Sequence, residues 1–123
     1  MKPKLLVVDD EIINLENFKL IFEDDFEIET ATCAKQALRL LENNPDIGVI
    51  LSDNRMPGIS GAEMLQQVAR IRPKAIRIII TGFPEDIDSK TRANLFEVIA
   101  KPYEYDEIVK VLDRACVVFA SPA

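Results

Sequence analysis

Four places in the chain carry residues whose types suit phosphoryl chemistry. Asp9 and Asp10 follow the apolar run Leu5 to Val8. Asp53 follows Ile47 to Leu51, Thr81 follows Ile76 to Ile80, and Lys101 follows Glu97 to Ala100. Carboxylates brought together repel one another, and a hard divalent cation with oxygen ligands relieves that repulsion. One or two carboxylates, a backbone carbonyl and several waters suit Mg²⁺. Lys101 adds a fixed positive charge and Thr81 a hydroxyl. Such a set can receive a phosphoryl group: a carboxylate attacks, the cations neutralise the phosphoryl oxygens, and the hydroxyl donates to one of them. Taken singly, each residue has a plainer reading. A lone Asp at a strand end forms turns, Asp9-Asp10-Glu11 can serve the start of a helix, and Lys101 can be a solvated charge. Their joint occurrence, each at the end of an apolar run, favours the site.

The elements that must position them alternate. Lys4 to Val8 reads as a buried strand, and Ile12 to Glu23 as a helix with Leu15, Phe18, Ile21 and Phe22 at helical spacing. Phe26 to Thr30 alternates as a half-exposed strand. Thr32 is placed to cap a helix whose Ala34, Ala37, Leu38 and Leu41 share a face, ending at Asn43-Asn44-Pro45. Ile47 to Leu51 is the third strand. Pro57-Gly58 forms a turn, and Ser60 with Glu63 forms a capping box for a helix running to about Ile71. Ala75 to Ile80 is the fourth strand, Pro84 to Leu95 a polar helix, Glu97 to Ala100 the fifth strand and Glu104 to Phe119 the last helix. Within that helix Ile108, Val111, Leu112, Ala115 and Phe119 lie at core spacing, and Ser121-Pro122-Ala123 reads as a frayed end.

Such alternation predicts an α/β fold with a parallel sheet covered on both faces. The flavodoxin-like (βα)5 order 2-1-3-4-5 puts the most apolar strands at the centre. It also brings the carboxyl ends of all the strands to one edge, about 5 Å apart per strand. Residues distant in sequence then converge without any helix carrying them.

Composition sets the outer bounds. The 123 residues, 48% apolar and 29% charged, are read as a single domain over 1–123. A net charge of −6 argues against direct nucleic-acid binding and suits a domain that recruits a cation. No apolar run approaches the roughly 20 residues of a membrane span, and the start Met1-Lys2-Pro3-Lys4-Leu5 is unlike a signal peptide, so the expected location is the cytoplasm. There is no histidine, which removes His-based catalysis and any phosphohistidine on this chain. Cys33 and Cys116 are expected to be small buried hydrophobes.

With these residues in view, the chain resembles the response-regulator receiver domains of two-component signalling. The match is carried by Leu6-Val7-Val8-Asp9-Asp10-Glu11, Leu51-Ser52-Asp53-Asn54-Arg55-Met56-Pro57-Gly58-Ile59-Ser60-Gly61, Ile80-Thr81-Gly82 and Ala100-Lys101-Pro102-Tyr103. It implies that Asp53 is the phosphoacceptor and a sensor kinase phosphohistidine the donor. It further implies Mg²⁺ held by Asp10, Asp53 and the backbone carbonyl of Arg55, with Asp9 assisting through water. Thr81 and Lys101 would bind the phosphoryl oxygens, and the Lys101–Pro102 bond would be cis. The output would be a change of surface on the fourth helix, fifth strand and fifth helix, including Arg92, Phe96 and Tyr103.

One position departs from the family pattern. An aromatic residue usually stands three places before the lysine, and its ring swings inward on phosphorylation. Val98 occupies that place and has no ring, so Phe96 or Tyr103 becomes a candidate relay. Arg55 and Phe83, two residues beyond Asp53 and Thr81, are expected to shield the acyl phosphate from water. The competing reading is an aspartate-nucleophile phosphohydrolase of haloacid-dehalogenase type. That class carries Asp-x-Asp at the nucleophile strand, whereas Arg55 takes the second place here. We therefore expect a phosphorylation-controlled binding module and not a turnover enzyme.

Overall fold

The computed structural model describes residues 2–121. Its elements are β1 (Lys4–Val8), α1 (Ile12–Phe22), β2 (Ile28–Ala31), α2 (Ala34–Asn43), β3 (Ile47–Ser52), α3 (Gly61–Ile71) and β4 (Ile76–Thr81). A short 3₁₀ turn (Pro84–Asp86), α4 (Ser89–Ala93), β5 (Glu97–Ala100) and α5 (Tyr105–Ala120) complete the chain. The strands form one parallel sheet of order β2-β1-β3-β4-β5, as the flavodoxin-like reading requires.

Alternation within each strand sends successive side chains to opposite faces. Leu5, Val7, Leu51 and Ile78 join Phe18, Phe22, Ile108 and Leu112 under α1 and α5. Leu6, Val8, Ile50 and Ile79 join Leu41, Met64, Leu65 and Val68 under α2 and α3. Both faces being covered explains why the central strands read as continuous apolar runs.

Helix ends follow local chemistry. The Ser60–Glu63 capping box is present: Ser60 Oγ accepts from the Glu63 N–H and Glu63 Oε1 from the Ser60 N–H, each at 3.1 Å. Thr32, however, does not cap α2. Its N–H and hydroxyl both turn to Gln36 Oε1, at 2.8 and 3.1 Å, and Cys33 takes the N-cap place with no side-chain bond. Cys33 is exposed and Cys116 only partly buried, so neither is the buried hydrophobe expected.

Other boundaries shift for packing reasons. Phe26 lies in the turn before β2, where its N–H donates to the Phe22 carbonyl at 3.0 Å, and its ring fills the core. Ile21 and Phe119 share helical spacing with core residues yet remain 50% and 37% exposed. Phe119 lies over the amino-terminal end of the central strand β3, where a Cβ on Gly48 would come within 2.7 Å of its ring. The helix expected over Pro84 to Leu95 is broken. Ile87 leaves the 3₁₀ turn in extended conformation and buries its side chain, and Asp88 then caps a new five-residue helix by accepting from the Thr91 N–H at 2.7 Å. Lys90, Thr91 and Arg92 give that helix no apolar face, so it ends at Asn94. Of the expected frayed end, Pro122 and Ala123 lie outside the described residues, while Ser121 Oγ donates to the Val117 carbonyl at 2.9 Å.

Arg72 fastens the layer of α2 and α3. Its guanidinium donates to the carbonyls of Leu41, Asn44 and Ile47, where α2 ends and β3 begins. Arg72→Met is expected to remove these three donations and to cost about 1–3 kcal/mol in urea unfolding, with an unchanged denaturant slope.

Candidate active site

Asp53 leaves β3 at the sheet's carboxyl edge, and its N–H donates to the Val8 carbonyl at 2.9 Å. That bond sets it beside Asp9 and Asp10, which follow Val8. Oxygens of Asp9, Asp10 and Asp53 all lie within 4.8 Å of one another. Lys101 reaches in from the end of β5, with Nζ 3.5 Å from Asp9 Oδ2 and 3.8 Å from Asp53 Oδ2. Its own N–H donates to the Thr81 carbonyl at 2.8 Å, so β4 fixes where the lysine starts, and the Lys101–Pro102 bond is cis.

Asp9 and Asp53 have local support. Asp9 is only 6% exposed; its Oδ1 accepts from the Glu11 N–H at 2.9 Å and its Oδ2 from Asn14 Nδ2 at 3.2 Å. Asp53 Oδ1 accepts from the Asn54 N–H at 2.8 Å. Gly61 seats α3 against the backbone here. A Cβ at Gly61 would fall 2.0 Å from the Asp53 carbonyl oxygen, so no other residue fits without moving the loop. Buried Asn54 ties the same loop to α3, its Oδ1 accepting from the Ala62 N–H at 2.9 Å.

Asp53 faces a cavity of about 390 Å³ between α1 and the segment after β5, also lined by Asp9, Asn14, Phe18, Lys101 and Tyr103. Burial pushes the Asp53 carboxyl above the usual carboxylate range. Lys101 opposes that rise, and Asp9 and Asp10 add to it. Burial likewise raises the Tyr103 phenol, against the pull of Lys101. Carboxylate oxygens this close, one of them reluctant to ionise, form a donor set that fits a hard divalent cation.

Thr81 and Arg55 sit differently from the carboxylates. Thr81 is fully buried, and its Oγ1 accepts from the Phe83 N–H at 3.0 Å, so the hydroxyl is engaged in the loop after β4. The Arg55 side chain points to Asp86, with Nε 2.7 Å from Oδ2, and its guanidinium lies 3.4 Å from the Phe83 ring centroid. No carboxylate stands at position 55 to act as the general acid of a haloacid-dehalogenase site. Val98 packs with Leu95 on the α2/α3 side, while Phe96 and Tyr103 pack on the opposite core.

The sequence reading did not single out Asn14, Asn54 or Asp86. Asn14 had a usable signal, since it lies one turn into the helix that follows Asp9. Asp86 had none, because only the turn at Pro84 aims it at Arg55.

A family model for the response regulator receiver domain matches residues 5–113. The chain belongs to this family. Among curated relatives, it is 32% identical over 114 residues to the hydrogenase transcriptional regulatory protein HoxA of Cupriavidus necator, which covers 90% of this chain and 23% of that protein. It thus spans about a quarter of that relative's length. A response regulator receiver domain protein of Clostridium thermocellum is similar in structure, with a TM-score of 0.86 and 30% identity over 94% of each chain. Response regulator TrrA of Thermotoga maritima, solved with Mg²⁺ and BeF, gives a TM-score of 0.83 at 28% identity, covering 94% of this chain and 99% of that one. The fold is therefore that of a response regulator receiver domain, with the clustered carboxylates at its carboxyl edge.

A raised Asp53 pKa has a definite sign. The folded state holds that proton more tightly than the unfolded one, so the stabilisation is full below the ordinary carboxylate value and is lost as pH rises through the folded value. Asp53→Asn is expected to stabilise the metal-free protein, with a larger gain at about pH 7 than at about pH 4, read by chemical denaturation. Mg²⁺ is expected to raise the melting temperature of the wild type more than that of the variant. An equal gain at both pH values, with no effect of Mg²⁺, would contradict the crowding of these carboxylates.

Proposed function

We propose that Asp53 accepts a phosphoryl group from a phosphohistidine on a sensor histidine kinase, and that the acyl phosphate switches a binding surface on this domain. The observation that carries this is the Asp53 carboxylate facing an open cavity, flanked by Asp9 and Asp10 and opposed by the Lys101 ammonium. TrrA, similar in fold, has also been solved in complex with the histidine kinase ThkA, which supports a kinase as partner.

The chemistry is a transfer between two proteins. An Asp53 carboxylate oxygen forms a bond to phosphorus as the phosphorus–nitrogen bond of the donor breaks. The imidazole keeps that electron pair and takes a proton from solvent. Lys101 holds a phosphoryl oxygen by charge, and Thr81 donates its hydroxyl to another after leaving the Phe83 N–H. Asp9, Asp10, Asp53 and the Arg55 carbonyl would hold Mg²⁺, which when bound neutralises the carboxylates and the phosphoryl oxygens. Phe83 and Arg55, two residues beyond Thr81 and Asp53, screen the product from water.

On this reading residues 1–123 act as one receiver unit in the cytoplasm. The output is partner or effector binding through the surface that includes Arg92, Phe96 and Tyr103. Turnover of a substrate is not its role.

Incubation with acetyl phosphate and Mg²⁺ should add the mass of one phosphoryl group to the intact protein and none to Asp53→Asn. No gain in the wild type, or an equal gain in the variant, would overturn the assignment. The Arg55→Asn, Phe83→Glu double variant should lose its phosphoryl group severalfold faster than the wild type, followed by loss of that mass with time. An unchanged lifetime would remove the screening role.

A further inference from the structure

Three side chains beside the carboxylates form a unit that phosphoryl transfer does not itself require. Arg55, in the loop after β3, donates from Nε to Asp86 Oδ2 at 2.7 Å and from Nη2 to Asp86 Oδ1 at 3.2 Å. The same guanidinium stacks on Phe83, 3.4 Å from the ring centroid. The Phe83 N–H is in turn held by Thr81 Oγ1 at 3.0 Å. Two loops on the Asp53 edge are thus joined twice, by the Arg55–Asp86 ion pair and by the stack of Arg55 on Phe83, and the Thr81 hydroxyl ties the second loop to the end of β4. Farther along, Arg92 Nη2 donates to the Pro84 carbonyl at 3.2 Å, which links the 3₁₀ turn to α4.

This unit stands where a relay is needed. Val98 has no ring to move, and it packs with Leu95 away from the cavity. The pair between Arg55 and Asp86 is exposed, and such pairs are weak enough to exchange partners. A guanidinium matches a tetrahedral oxyanion in the same bidentate way as it matches a carboxylate.

We propose that the Arg55–Asp86 pair is a latch between the phosphoacceptor and the Pro84–Ala93 segment. An oxyanion on Asp53 draws Arg55 away from Asp86 and the Thr81 hydroxyl away from the Phe83 N–H. The freed segment then reshapes the surface around Arg92. The latch rests on the phosphoacceptor reading, because the anion that opens it is the one Asp53 carries. By linkage, whatever holds Arg55 on Asp86 lowers the affinity of Asp53 for that anion.

The test measures beryllofluoride affinity, with Mg²⁺, in the wild type, Asp86→Ala, Arg55→Ala and the double variant. Asp86→Ala is expected to bind about two- to fivefold more tightly than the wild type, the range an exposed pair can contribute. In the Arg55→Ala background the same change is expected to add nothing. Amide exchange over residues 83–93 should quicken when beryllofluoride binds the wild type, and should already be fast in free Asp86→Ala. An equal gain in both backgrounds would mean that removing one negative charge is the whole effect, and would overturn the latch. So would unchanged affinity together with unchanged exchange. Wild type that binds no beryllofluoride at all would overturn the phosphoacceptor reading and the latch with it. Binding without coupling overturns the latch alone.

Discussion

Like-charge repulsion at the rim of the sheet is the constraint on which this molecule depends. Asp9 and Asp53 end adjacent strands whose other residues are almost wholly buried, so neither carboxylate can withdraw into bulk water. Lys101 relieves part of that repulsion, but at 3.5 and 3.8 Å from the two carboxylates it makes neither a short nor a bidentate pair. An arrangement tuned only for stability would place the ammonium closer or substitute an amide for one acid. A divalent cation at these carboxylates would relieve the remaining repulsion. That coupling between charge and ligand is what a phosphoacceptor needs.

The rest of the fold supplies rigidity to that rim. Apolar strands packed on both faces fix where each chain end emerges. The Asp53 N–H on the Val8 carbonyl and the Lys101 N–H on the Thr81 carbonyl carry the register up to the last residue of the site. Gly61 allows α3 to start against the Asp53 backbone, a contact that any side chain would prevent. The site's backbone is therefore positioned by main-chain bonds, and its side chains by a few hydrogen bonds and ion pairs of their own.

What could be read from the sequence follows from this division. Strand ends and the residues after them were legible, because buried parallel strands leave continuous apolar runs that stop abruptly. Helix faces were legible where both sides of the pattern pack, as in α3. The segment after β4 was not. Its break depends on Ile87 finding a place in the core, a tertiary fact that overrides the polar helical pattern of Pro84 to Leu95. Thr32 is not the cap because α2 starts one residue later, with Cys33 at the N-cap place, while Thr32 donates to Gln36 Oε1. Phe119 has core spacing, but by the end of α5 the ring meets Gly48 at the amino-terminal end of β3 and stays partly exposed.

Both the illegible segment and the proposed relay lie in the same loop, and one physical reason accounts for both. A segment whose sequence fully dictated one helix would resist rearrangement. Pro84–Ala93 is held mainly by one buried isoleucine, short capping bonds and an exposed ion pair. Each of these is weak alone, so their balance can shift when a neighbouring charge appears. The chain thus puts strong, redundant packing beneath the acid cluster and weak, exchangeable contacts beside it. A ring at position 98 would have offered another way to transmit the change. Its absence leaves the contacts of Arg55, Phe83 and Asp86 as the physical link between the acid cluster and the surface around Arg92.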